Sequence, residues 1–122
     1  MKSIHLIDKF SIFDDLWSPK ILAEVNNQYV KIAKVKGEFV WHEHKDEDEL
    51  FFVVKGKLFI DIKDGPGAEL NEGEMIVIPR KTQHKPYTQE GEETWIMLFE
   101  PKSTKHTGDA KHPLTDNKER FI

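Results

Sequence analysis

From Pro19 onward, short apolar runs alternate with turn residues. Residues 21–25 run into Asn26-Asn27, a pair suited to a hairpin turn. Residues 29–36 stop at Gly37, and 38–44 lead into an acidic loop, 45–48. Residues 49–54 end at Lys55-Gly56, and 57–62 meet Asp64-Gly65-Pro66-Gly67, the strongest turn signal of the chain. Residues 68–70 and 74–78 flank Asn71-Glu72-Gly73, and 84–88 and 93–100 flank a turn at Glu90-Gly91. Closely spaced short runs of this kind predict an all-β sandwich or barrel, with its core over about residues 20–100. Ahead of it, Leu6, Ile7, Phe10, Phe13 and Trp17 have helix-like but imperfect spacing, which predicts an N-terminal arm over 1–19 with about one helical turn. After Pro101 the periodicity ends, and the polar tail, 101–122, is expected to wrap the surface or to be partly mobile. No repeat or linker divides the 122 residues, so a single domain is expected.

Two runs are apolar on both faces. Leu50, Phe52 and Val54 stand opposite Phe51 and Val53, and Ile76 and Ile78 stand opposite Met75 and Val77. A strand with one solvated face would alternate apolar with polar. Each large side chain left in water forfeits roughly 1.5–3 kcal/mol, so the outer face needs a cover. The N-terminal arm and a second subunit, in a homodimer, are the two candidates.

Composition removes several function classes. A net charge of -4 with scattered Lys and Arg offers no basic stripe for nucleic acid or an anionic membrane. No apolar run approaches the roughly 20 residues that span a bilayer, and the first residues lack a signal-peptide core. With no cysteine, disulfides and thiolate metal sites are excluded. A soluble, cytoplasmic protein is the expectation.

The chemistry concentrates in four residues. His42 and His44, two apart on an expected strand, project to one face. Glu49 opens the next run after a short loop, and His84 comes later, past Pro79. Imidazole nitrogens with a carboxylate oxygen suit a borderline divalent metal: iron, manganese, nickel, cobalt, copper or zinc. Asp48, next to Glu49, is the alternative carboxylate. Glu43, Asp46, Glu47 and Asp48 otherwise read as a solvated loop, and His5, His106 and His112, in the arm and tail, as surface residues.

Gly37-(four residues)-His42-Glu43-His44-(four residues)-Glu49-(six residues)-Gly56 resembles the first motif of the cupin family, and Gly73-(five residues)-Pro79-(four residues)-His84 resembles the second. The likeness covers about 29–99. It implies a small double-stranded β-helix, or jelly-roll, barrel. It also implies one metal ion held by His42, His44, Glu49 and His84, with open positions for a small-molecule ligand or substrate. Three departures concern turns and supports. The Gly37–His42 gap is one residue short, Lys81 stands where glycine is usual, and Lys85, Pro86, Tyr87 and Thr88 follow His84 without the usual asparagine.

Strand parity nominates the pocket. Val40 shares a face with His42 and His44, and Phe51 and Val53 share one with Glu49. Gln83 and Tyr87 flank the second motif, and Lys34 or Lys36 would enter from the preceding strand. Trp95 and Met97 lie on one face of their run and Ile96 and Leu98 on the other; parity leaves open which faces inward, and Trp95 and Met97 are carried as the candidate wall. Arg80, Lys81 and Lys85 form the only local cation cluster near His84, solvated by default. These features support three functions. The first is a metal-dependent enzyme on a small organic molecule, of the dioxygenase type (ring or diketone cleavage) or the isomerase type (a sugar or hydroxy-ketone). The second is a non-catalytic module that binds or senses a sugar-like ligand. The third is a metal-free dimeric scaffold.

Overall fold

Alternating burial along the strands sorts the chain into an inner and an outer layer. The computed structural model describes residues 1–108 and 119–122; His112 and Asp109 lie outside the described residues. The helix α1 covers Leu6–Phe10. The strands are β1 Lys20–Val25, β2 Gln28–Lys36, β3 Glu49–Lys55, β4 Leu58–Ile62, β5 Ala68–Leu70, β6 Met75–Ile78, β7 His84–Tyr87, β8 Glu93–Pro101 and β9 Arg120–Phe121. They form one sheet in the order β6-β3-β8-β2-β1-β9 and a second in the order β5-β4-β7. This is the all-β two-sheet arrangement expected from the turn spacing, and the jelly roll that the motif resemblance implies.

The inner layer is one apolar cluster fed by both sheets. Ala33, Val35, Phe51, Val53, Ile96 and Leu98 from the larger sheet meet Leu58, Ile60 and Leu70 from the smaller one. The antiparallel register sets this up, since Ala33 and Val53 both pair with Ile96 across β2, β8 and β3. At the β3–β4 turn, Gly56 has φ +93, and an added Cβ would sit 2.9 Å from Thr94 Oγ1. Only glycine meets both constraints there.

The outer face of β2 and β8 is covered by the N-terminal arm. Phe10 is fully buried and stacks on Trp95 with ring centroids 4.7 Å apart. Leu6, Phe13, Trp95 and Met97 pack around the cluster of Phe10, Leu22 and Ile32. The arm is pinned by Lys34 Nζ, which donates to the Phe13 carbonyl (2.6 Å), and by Trp17 N, which donates to the Lys34 carbonyl (2.9 Å). Met75, Val77 and Phe99, further along the same sheet, remain exposed.

Two expectations change. Residues 38–44 do not form a strand; among the described residues they make only isolated bridges, Glu38 with Tyr87 and His42 with His84. Phe39 and His42 are both buried although they are three positions apart, so period-two alternation breaks between them and the ladder breaks with it. The tail is also more engaged than its polarity suggested. Thr104, His106 and Thr107 are buried, and β9 pairs parallel with β1, Lys20 opposite Arg120 and Ile21 opposite Phe121.

Candidate metal centre

Three segments deliver the four donors. The bridge between His42 and His84 is a reciprocal pair of backbone hydrogen bonds, His42 N to His84 O (3.0 Å) and His84 N to His42 O (2.9 Å). It sets the two imidazoles side by side, with centroids 4.3 Å apart. His44 follows on the same segment, and its carbonyl accepts from Lys81 N (2.7 Å), which ties the loop before His84 to the loop after His42. Lys81 stands at φ +64, so the position where the motif usually has glycine does adopt the left-handed region. Glu49 opens β3 and pairs with Ile78 of β6.

All four side chains are buried. One ligand atom from each of His42, His44, Glu49 and His84 lies within 4.8 Å of the others. Glu49 Oε1 is 3.3 Å from His44 Nε2 and 3.5 Å from His84 Nε2. Neighbouring donors at about 2.1 Å from one ion stand about 3.0–3.4 Å apart, so these spacings are on the scale of a shared ion. The ring orientations agree. His42 Nδ1 lies 2.9 Å from the Val40 carbonyl and His84 Nδ1 lies 2.8 Å from the Thr82 carbonyl. A carbonyl only accepts, so each Nδ1 carries the proton and each Nε2 presents its lone pair, the tautomer a metal requires. Among the described residues, buried Glu49 Oε1 and His84 Nε2 have no hydrogen-bond partner. Such atoms are costly to bury unless something else satisfies them. The donor set therefore fits a divalent metal, and the cluster could hold one.

The electrostatics keep two of the donors, His42 and Glu49, unprotonated. Burial, and then the nearby His84, lower the His42 pKa to about 4. Burial pushes the Glu49 carboxyl upward, but the close approach of His44, His84 and Glu100 outweighs it, and its pKa lies well below the ordinary value. Glu100 behaves oppositely: burial and then the Glu49 charge hold its carboxyl well above the usual range, only partly offset by Lys31.

A cavity of about 30 Å³ adjoins the cluster, lined by Trp17, Pro19, Ala33, Val35, Phe39, His42, Glu49, Phe51, Pro86, Ile96, Leu98 and His106. Of the expected pocket residues, Phe51 is part of the wall and Val53 is buried in the cluster behind it. Phe39 takes the place expected for Val40, because the broken alternation shifts the inward face by one residue; Val40 packs half-buried against the core. Ile96 and Leu98 face the cavity, whereas Trp95 and Met97 face the arm. Tyr87 is turned outward and stacks on Phe59, while its neighbour Pro86 lines the cavity. Gln83 is half-buried and donates to Glu43 Oε1 (2.9 Å), away from the wall. Lys34 lies under the arm and Lys36 is exposed. Asp48 is half-exposed and accepts from Arg80 N at 2.9 Å, so it is not part of the cluster. Lys85 is paired with Glu38 (3.2 Å), so Arg80 and Lys85 are each engaged by a carboxylate.

Three residues escaped the sequence reading. His106, expected on the surface, is buried, lines the cavity and packs near Phe39 with ring centroids 5.7 Å apart; nothing in its polar surroundings signalled this. Lys31 and Glu100 are also fully buried, with Lys31 Nζ 2.8 Å from Glu100 Oε1. Their parity was legible, since Lys31 shares a face with Ala33 and Val35, and Glu100 with Ile96 and Leu98, but charge argued for solvent. His5, as expected, is exposed; it caps α1.

A jelly roll with this cluster at its centre is the architecture of a cupin. The family model described as Cupin domain matches residues 28–101, and the chain belongs to that family. A crystal structure of a cupin-2 domain protein from Shewanella frigidimarina NCIMB 400 is 48% identical, with a TM-score of 0.77, covering 81% of this chain and 94% of that one. A crystal structure of a Neisseria meningitidis protein is 28% identical, with a TM-score of 0.73 and coverage of 82% and 99%. YdbB, an uncharacterized protein of Bacillus subtilis (strain 168), is 44% identical over 64 residues, which span 52% of this chain and 57% of YdbB. Among the described residues no helix is long and apolar enough to cross a membrane.

Proposed function

We propose that His42, His44, Glu49 and His84 hold one divalent transition metal ion, iron, manganese, nickel, cobalt, copper or zinc. We propose further that the protein uses it as an enzyme on a small organic molecule, of the isomerase or dioxygenase type. The observation that supports this best is the convergence of four buried donors, two of them with ring tautomers set by carbonyls, beside an apolar cavity. A metal held there supplies Lewis acidity and a point of attachment for a chelating oxygen ligand. Phe39, Phe51, Ile96 and Leu98 keep bulk water from that point, which strengthens every electrostatic interaction within it. The cavity has room for about two waters, so a larger substrate requires part of its wall to shift.

A non-catalytic binding or sensing module is the second reading. It is favoured by the scarcity of acid–base groups: among the described residues, His106 is the one titratable side chain on the cavity wall apart from His42 and Glu49. The metal-free scaffold fits less well, because it leaves buried Glu49 Oε1 and His84 Nε2 unsatisfied. Exposed Met75, Val77 and Phe99 suit a second copy in a homodimer, and the lack of cysteine suits a reducing, cytoplasmic setting.

Untagged protein is expected to carry close to one metal per chain by elemental analysis and to lose it in the His42→Ala/His84→Ala double variant. Oxygen-uptake and sugar-isomerase screens on protein loaded with each metal then separate catalysis from binding. A folded wild type that takes up none of the six metals would overturn the proposal, and stoichiometric metal with no turnover would move it to the binding module.

A further inference from the structure

We propose that Lys31 and Glu100 are positioning residues of the metal centre, a buried hydrogen-bonded pair in which the Glu100 carboxyl, anchored by Lys31, holds the Glu49 carboxylate so that Oε1 faces the histidine nitrogens. The inference rests on the metal-binding reading above. Lys31 lies on β2 and Glu100 on β8, both on the inner face, and neither side chain has any exposure. Lys31 Nζ stands 2.8 Å from Glu100 Oε1 and 2.5 Å from Oε2 of Glu119, the residue before β9. On the other side of β8, Leu50 pairs with Phe99, so one antiparallel step further brings Glu49 beside Glu100. Their carboxyl groups lie within hydrogen-bonding reach.

Stability alone does not call for this pair. Burying two charges is expensive, and apolar replacements of similar volume are often neutral or stabilising. Ala33, Val35, Ile96 and Leu98 fill the neighbouring inward positions with apolar groups, so an apolar solution was open to this wall. What the pair does achieve is orientation. The terminal torsion of a glutamate is broad, and among the described residues Glu49 Oε1 has no hydrogen bond of its own to hold it. A neighbour anchored by Lys31, itself held by the Glu119 carboxylate just before β9, gives the Glu49 carboxylate one preferred setting. Partners that orient ligands commonly govern metal affinity by 10–100-fold.

The test uses the full chain with cobalt(II) as probe. Its dissociation constant is measured by chelator competition, its visible absorption spectrum is recorded, and circular dichroism checks the fold. Glu100→Leu and the Lys31→Met/Glu100→Leu double variant are expected to weaken cobalt binding about 10–100-fold and to shift the visible bands. Glu100→Gln, whose amide donates to Glu49 and accepts from Lys31, is expected to restore affinity to within about threefold of wild type. If the leucine variants do not fold, Glu100→Asp, shorter by one methylene, gives the same readings with the carboxyl kept but withdrawn from Glu49. Folded variants with wild-type affinity and spectrum would overturn the positioning role and leave the metal centre standing. A wild type that binds no cobalt would overturn both.

Discussion

Acidifying the metal-free protein is expected to destabilise it through His42 in a defined window. In the unfolded chain the ring titrates near 6.5, whereas in the fold burial and His84 lower its pKa to about 4. Above about pH 6.5 both states hold the ring neutral and His42 contributes no slope. Between the two values the unfolded chain binds a proton that the folded chain refuses, so stability falls as pH falls. Below about pH 4 both states are protonated and the loss stops growing. Each pH unit in the window is worth roughly 1.4 kcal/mol, so the His42 contribution is about 3 kcal/mol. Urea unfolding of chelator-treated protein at intervals from about pH 7.5 to 4 measures it, with His42→Gln as reference because glutamine does not titrate. The wild type is expected to lose about 3 kcal/mol more than the variant across the window. Parallel curves for the two proteins would refute the claim that the fold holds this imidazole neutral, and with it the argument that the site is prepared for a metal.

Two further outcomes follow from packing and backbone. Phe10→Ala removes a fully buried ring stacked on Trp95 and is expected to cost about 3–5 kcal/mol in thermal or urea unfolding. It should also raise the fluorescence accessibility of Trp95 to a quencher, and an unchanged stability would show that the arm does not seal the sheet. Lys81→Gly relieves a left-handed conformation, φ +64, worth about 1–2 kcal/mol, against about 0.5–1 kcal/mol of added chain entropy. A net gain of about 0.5 kcal/mol is expected by urea unfolding, and a loss of 1 kcal/mol or more would contradict it.

Much of the site was legible because its determinants are local. Ligand chemistry belongs to individual residues, and the turns around Gly37, Gly56 and Gly73 reflect backbone preferences that hold wherever the chain goes; all three adopt positive φ. The double apolar character of residues 49–54 announced that both faces would be covered. Period-two parity also named the right pairings, Trp95 with Met97 and Ile96 with Leu98. It left open which pair faces the cavity, because that depends on which side the N-terminal arm occupies, a contact between residues far apart in sequence. The same limit hid Lys31, Glu100 and His106. Their polarity argues for solvent at the level of one residue, and for the two charged groups only partners brought in from distant segments, Glu119 and Glu100 for Lys31 and Lys31 for Glu100, make burial tolerable. The chain on its own therefore determined the donor types, the turns and the faces of its strands. Which face turned inward, and which charges went with it, was decided by long-range packing, since a buried charge is stable only where the whole fold supplies its counterpart.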